Sequence, residues 1–117
     1  MNFDASQLTL FTGTEKYYRL SKKLLITDGT KYVAESAGAF WMMDAVGSHL
    51  FELGTDDWFV LVRVTVTNSS AVMHYEDGNG NVRAQQAIPY TDFPIREIML
   101  YASWDGEHWV LMLPSEY

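Results

Sequence analysis

Cysteine is absent from the 117 residues. That excludes disulfides, thiolate nucleophiles and cysteine-ligated zinc, and leaves the redox compartment open. Proline occurs only at 89, 94 and 114, so nothing before the last third of the chain is broken by it. Basic side chains are scarce: eight Lys and Arg stand against fifteen Asp and Glu, a formal charge of -7. A body this acidic repels nucleic acid and attracts basic surfaces. No apolar run approaches the roughly 18 residues of a membrane helix. Met1–Leu10 also lacks the basic-then-apolar layout of a signal peptide, which points to a cytoplasmic protein. Internal repeats, low-complexity tracts and linkers are missing too.

Several chemistries lack their motifs. There is no phosphate-cradling Gly-rich loop and no Gly-x-Ser-x-Gly elbow. His49, His74 and His108 share no metal-ligand spacing on a helix; His49 and Glu52 stand three apart, a common coincidence. Asp77-Gly78-Asn79-Gly80-Asn81 imitates the start of a calcium loop. However, Val82 takes the place of the required Gly, and Ile88 that of the closing Glu. Glu35 and Asp44 are the nearest thing to an acid–base pair, and both read as solvated helix acids. We therefore expect no metal, no cofactor and no catalytic residue.

What is present is a core-forming composition. Hydrophobic residues make up 48% and aromatics 15%, with four Trp, seven Tyr and six Phe. The length suits one domain spanning 1–117. Charge is uneven along it. Lys16, Arg19, Lys22, Lys23 and Lys31 outweigh Asp4, Glu15 and Asp28, whereas beyond residue 31 three Arg face twelve acids.

The periodicity predicts helices in 1–57 and an antiparallel sheet in 58–113. Gly13 and Thr14 suggest a short turn through Glu15–Arg19. Leu24–Ile26 is a short apolar run that reads as extended. Thr27 or Asp28 starts a helix running through Glu35, with Lys31 and Glu35 paired across one turn. Residues 39–51 are apolar nearly all round, which predicts a buried helix lying across a sheet. Strands follow at 58–67, 71–76, 82–88, 97–104 and 108–113, each alternating and bounded by turn signals. Asp77–Asn81 and Asp105-Gly106 are the hairpin signals. The expected fold is α+β: a five-stranded antiparallel meander with the N-terminal helices on one face.

From Thr27-Asp28-Gly29 with Lys31-Tyr32, through Ala37-Gly38-Ala39-Phe40-Trp41, the chain resembles a family of small bacterial and phage-borne proteins classed as a domain of unknown function. Phe11-Thr12-Gly13, Asp77–Asn81 with Thr91-Asp92-Phe93-Pro94, and Leu113-Pro114-Ser115-Glu116-Tyr117 extend the resemblance nearly end to end, which implies a complete chain. Trp104–Trp109 is longer and more aromatic than the family's last hairpin. The resemblance implies a setting in phages and mobile elements and carries over no catalytic residue.

Three function classes follow. The first is a small protein-binding inhibitor in the manner of anti-CRISPR proteins, acting in a bacterial cytoplasm on a CRISPR or other defence effector. Its partner would present a basic surface, met by Asp56, Asp57, Glu76, Asp77, Asp105 and Glu107, with Trp104 and Trp109 as aromatic anchors. The second is a small-molecule binder or enzyme with a pocket between the buried helix and the sheet, around Asp28, Lys31 and Tyr32. The third is an assembly module, homodimeric through a sheet edge or the Trp104 hairpin. Direct nucleic-acid binding and membrane association are not expected.

Overall fold

The computed structural model describes residues 10–11, 16–54, 58–77 and 79–117. Two helices, α1 (Asp28–Ser36) and α2 (Phe40–Leu53), cover one face of a sheet. The strands are β1 (Tyr18–Ser21), β2 (Leu24–Ile26), β3 (Phe59–Thr67), β4 (Ser70–Glu76), β5 (Val82–Ile88), β6 (Glu97–Trp104) and β7 (Trp109–Met112). Pro114–Glu116 closes the chain as a 3-10 turn.

Local chemistry accounts for the elements. Thr27 has an extended backbone, and its hydroxyl accepts from the Thr30 N–H at 3.4 Å, so it caps α1 as its sequence position predicts. Lys31 and Glu35 pair at 3.4 Å. Met42, Met43, Val46 and Leu50 of α2 are fully buried. Gly47 belongs to the same buried face because a Cβ there would stand 2.7 Å from Leu24 Cδ2, and only glycine lets α2 approach β2 so closely. Asn68 and Ser69 both adopt positive φ (50° and 65°), the two-residue turn whose twist suits a hairpin. Valines 60, 62 and 64 of β3 lie in the core with Leu100 of β6, Met73 and Tyr75 of β4, and Trp109 and Leu111 of β7.

The sheet has seven strands in the order β1-β2-β7-β6-β3-β4-β5. All five expected strands are present, close to their expected bounds, but they do not form a meander. β6 pairs with β3, not β5, from Phe59↔Ser103 to Thr65↔Glu97. The Pro89–Arg96 connection explains this. Its Thr91 N–H donates to Ser69 O at 2.7 Å, and Arg96 O accepts from Val66 N–H at 2.7 Å. The chain thus passes the β3–β4 turn and returns along the free edge of β3, the longest described strand, which gains a neighbour on both sides.

The second correction concerns 1–57. Two strands interrupt the mainly helical region: β1, where the sequence suggests a turn through Arg19, and β2, where the apolar run is extended as its sequence suggests. β2 lies parallel to β7, Leu24↔Trp109 to Ile26↔Leu111, so the sheet is mixed. Pairing across some 85 residues leaves no local signal, and three residues are too few to show a period. The turn signal at Gly13 and Thr14 lies outside the described residues.

Candidate protein-interaction site

Strand direction decides where the acidic turns meet. β3 begins, β4 ends, β5 begins, β6 ends and β7 begins at one end of the sheet, as Phe59↔Ser103, Leu61↔Glu76, Glu76↔Val82 and Trp104↔Trp109 fix. That end carries the Asp77–Asn81 hairpin, the Asp105–His108 hairpin and Trp58. The Lys22-Lys23 turn between β1 and β2 lies there too, since Leu24 is level with Trp109.

The two hairpins are built alike. Asp77 accepts the N–H of Asn79 at 2.8 Å, the N–H of Asn81 at 3.0 Å and the amide Nδ2 of Asn81 at 3.1 Å. Asp105 accepts the N–H groups of Glu107 at 2.8 Å and His108 at 2.7 Å. In both, a short carboxylate replaces a backbone acceptor and tightens the turn. Donors aimed at a carboxylate favour its charged form. Asp77 is therefore held below the ordinary carboxyl value, chiefly by the Asn81 N–H, and Asp105 chiefly by the His108 N–H. Both charges face water and are fixed in place by their own turns. Glu107 is exposed beside Asp105.

The other sequence candidates separate. Glu76 is not a displayed charge: its side chain is 15% exposed and bonds Arg63 Nε at 3.1 Å, while Arg63 also reaches Glu97 at 3.4 Å. The ion pair follows from the register, which sets Glu76 opposite Leu61, two residues along β3 from Arg63 and on the same face. Trp109 is fully buried in the core, so it cannot anchor a partner in the folded chain. Trp104 is half-buried, its ring 5.7 Å from that of Trp109. Asp56 and Asp57 lie outside the described residues.

Sequence reasoning missed an aromatic chain on the uncovered face. Trp58 is 59% exposed and meets Phe59 at 6.0 Å between ring centroids. Phe59 meets Tyr101 at 5.1 Å and Tyr117 at 5.4 Å, all edge-on. Alternation along β3 and β6 places Phe59 and Tyr101 on the mixed face, which was the available signal. Tyr117, beyond the last strand, gave none.

Of the residues suggested for a small-molecule pocket, Asp28 and Lys31 are engaged with Tyr18 of β1, and Tyr32 meets Phe11 at 5.5 Å between ring centroids. Lys31 Nζ stands 4.0 Å from the centre of the Tyr18 ring. Asp28 accepts from the Tyr18 hydroxyl, which raises that phenol above its usual range. His49 stacks on Tyr75 at 4.9 Å, with Nδ1 3.1 Å from Ala45 O. Burial raises the Tyr75 phenol as well. A cleft of about 640 Å³ opens elsewhere, where Thr65–Asn68 face Phe93–Glu97. Among the described residues, no three His, Asp or Glu side chains gather as metal ligands.

The joint where β2 and β7 end explains two of the resemblance motifs. Glu116 Oε1 accepts from the Thr27 hydroxyl at 2.6 Å and the Leu113 N–H at 2.9 Å, and its Oε2 accepts the Gly29 N–H at 3.0 Å. The Glu116 side-chain carboxylate thus caps α1, where the helix dipole favours a negative charge. A Cβ on Gly29 would come within 2.6 Å of both Glu116 Oε1 and Leu113 Cδ1. Thr27-Asp28-Gly29 and Leu113–Tyr117 are two halves of one structural joint.

The chain belongs to a family of unknown function, DUF6876, whose model matches residues 3–117. No curated protein matches it significantly. Its fold is similar to that of a solved protein of unknown function from Enterococcus faecalis, with a TM-score of 0.56 and 14% identity over 85% of this chain and 93% of that one. No described helix is long and apolar enough to cross a membrane.

Proposed function

We propose that this chain is a non-enzymatic protein-binding module that docks its acidic end onto a basic surface of a larger complex. The observation carrying this reading is the convergence of Asp77, Asp105 and Glu107 with exposed Trp58 at one end of the sheet. Carboxylates held by their own turns lose little freedom on binding, and an exposed indole beside them supplies the apolar anchor that charge alone lacks. Lys22 and Lys23 at the corner make the end polar in sign, which fixes orientation as well as attraction. In its most specific form the module is an inhibitor in a bacterial cytoplasm. It occupies the nucleic-acid channel of a CRISPR or other defence effector, its carboxylates standing where phosphates would lie.

The test is a tagged pull-down from a bacterial host, washed at rising salt, comparing the native chain with an Asp77→Asn/Asp105→Asn/Glu107→Gln variant. The expected result is a captured complex that elutes earlier in salt from the triple variant, and earlier still when Trp58→Ala is added. Capture unchanged by salt and by all four substitutions would remove the acidic end from the interface.

A further inference from the structure

The sheet ends in two strands of opposite character. β1 has four residues, carries exposed Arg19, and is flanked by exposed Lys16, Lys22 and Lys23. Short length and lysines are the usual protection of a sheet edge against pairing. β5 has seven residues, and its last five, Ala84–Ile88, hold no charge, no proline and no glycine. No described strand lies beyond it.

Its outward backbone groups can be identified. Asp77 N–H bonds Asn81 O at 2.9 Å, so the backbone of Asp77, and by alternation that of Tyr75, Met73 and Ala71, turns toward β5. Their partners are Ala84, Gln86 and Ile88. Gln85 and Ala87 therefore turn N–H and C=O away from the sheet. The register irregularity between Tyr75 and Glu76 lies before this stretch, and Pro89 ends it.

A second observation sits on the same strand. Gln86 Oε1 is buried beneath the helix layer with no hydrogen-bond partner among the described residues. A buried amide oxygen left unmet forfeits its hydration with nothing in return, which a folded chain ordinarily avoids.

We propose that β5 pairs antiparallel with β5 of a second copy, about a two-fold axis at Gln86, joining two sheets into one. In this register Gln85 stands opposite Ala87 of the second copy, and their outward groups bond in both directions. Gln86 stands opposite Gln86, where two amides can meet and each orphaned oxygen finds an N–H. No charge faces a like charge: Arg83 falls opposite Pro89. Val82 and Tyr90, 53% and 75% exposed at the two ends of the edge, come level with each other. The chain is complementary to itself here, which selects a second copy over a foreign strand. The two-fold runs perpendicular to the sheet, so the helices of both copies share one face and the acidic ends stay free.

Sedimentation velocity from about 5 to 200 µM tests this. Both side chains substituted below, Gln85 and Ala87, are exposed on the uncovered face, so the fold tolerates their replacement. The native chain should sediment at twice its chain mass. Gln85→Lys/Ala87→Lys sets lysine opposite lysine twice and should be monomeric, with an unchanged circular dichroism spectrum. Gln85→Lys/Ala87→Glu sets lysine opposite glutamate and should restore the dimer, as no non-specific association would. A monomeric native chain, whether or not it captured a foreign extended peptide, would overturn the proposal. So would a Lys/Lys variant that remained dimeric.

Discussion

The hairpin end of the sheet, the near end, and the joint where β2 and β7 stop use carboxylates in different ways. At the joint, Glu116 is turned inward, shared among Thr27, Gly29 and Leu113, and joins the last residues of the chain to the first turn of α1. At the near end, Asp77 and Asp105 bond only groups of their own turns and stay in contact with water. One arrangement connects residues nearly ninety positions apart and so contributes to global stability. The other shapes four or five residues and presents charge. Removing a carboxylate should accordingly destabilise the molecule at the joint and change only its surface at the near end.

The largest effect sharpens the distinction within the near end itself. Trp109→Ala should cost about 3–5 kcal/mol, because it empties a fully buried site. Trp104→Ala, at a half-buried ring, should cost well under half of that in the same urea titration. Equal losses would mean that the two rings share one environment and that the near end has no separable surface. Next is Glu116→Ala. It leaves the Gly29 and Leu113 N–H groups and the Thr27 hydroxyl without their acceptor, and should cost about 2–3 kcal/mol, the range for hydrogen bonds to a charged group. Gly29→Ala pushes the same joint apart and should cost about 1–3 kcal/mol, as overpacking does. If Glu116→Ala melted at the native temperature, the contrast between the joint and the near end would fail. The counterpart, Asp77→Asn with Asp105→Asn, should leave the melt close to native while lowering the salt at which a partner is released.

Legibility in the sequence followed the range of the interactions. Alternation and turn residues gave β3 to β7 and the cap of α1, because each depends on neighbours within a few positions. The sequence suggests a turn through Glu15–Arg19 and an extended run at Leu24–Ile26, but not a pair of strands in the sheet, because β2 owes its place to β7, far along the chain. The meander was the simplest joining of five consecutive strands. Only the anchoring of Thr91 on Ser69, a contact across 22 residues, reveals the crossing. Among the candidate acids, Asp77 and Asp105 were legible from Asp-Gly turns. Glu76 was not distinguishable from them until the register brought Arg63 alongside. Trp104 and Trp109 look alike in a strand pattern; their separation into rim and core depends on the helices above.

The smallest effect is the most specific to the near end. Asp77 and Asp105 are both held below 3.8, the ordinary value, by backbone N–H groups that persist only while the hairpins are formed. A carboxyl with a depressed folded value contributes stability that is present above its unfolded value. That contribution is lost as pH falls through the folded one. The hairpins should therefore keep their shape and charge throughout the neutral and mildly acidic range and loosen only below about pH 4. Carbon-13 titration of the side-chain carboxyls should place both residues below 3.8. The amide resonances of Asn79, Asn81, Glu107 and His108 should move with the same midpoints, because those N–H groups are the donors. Midpoints at or above 3.8, or amides that ignore the titration, would mean that the aspartates swing free. The near end would then present mobile charge in place of a fixed constellation.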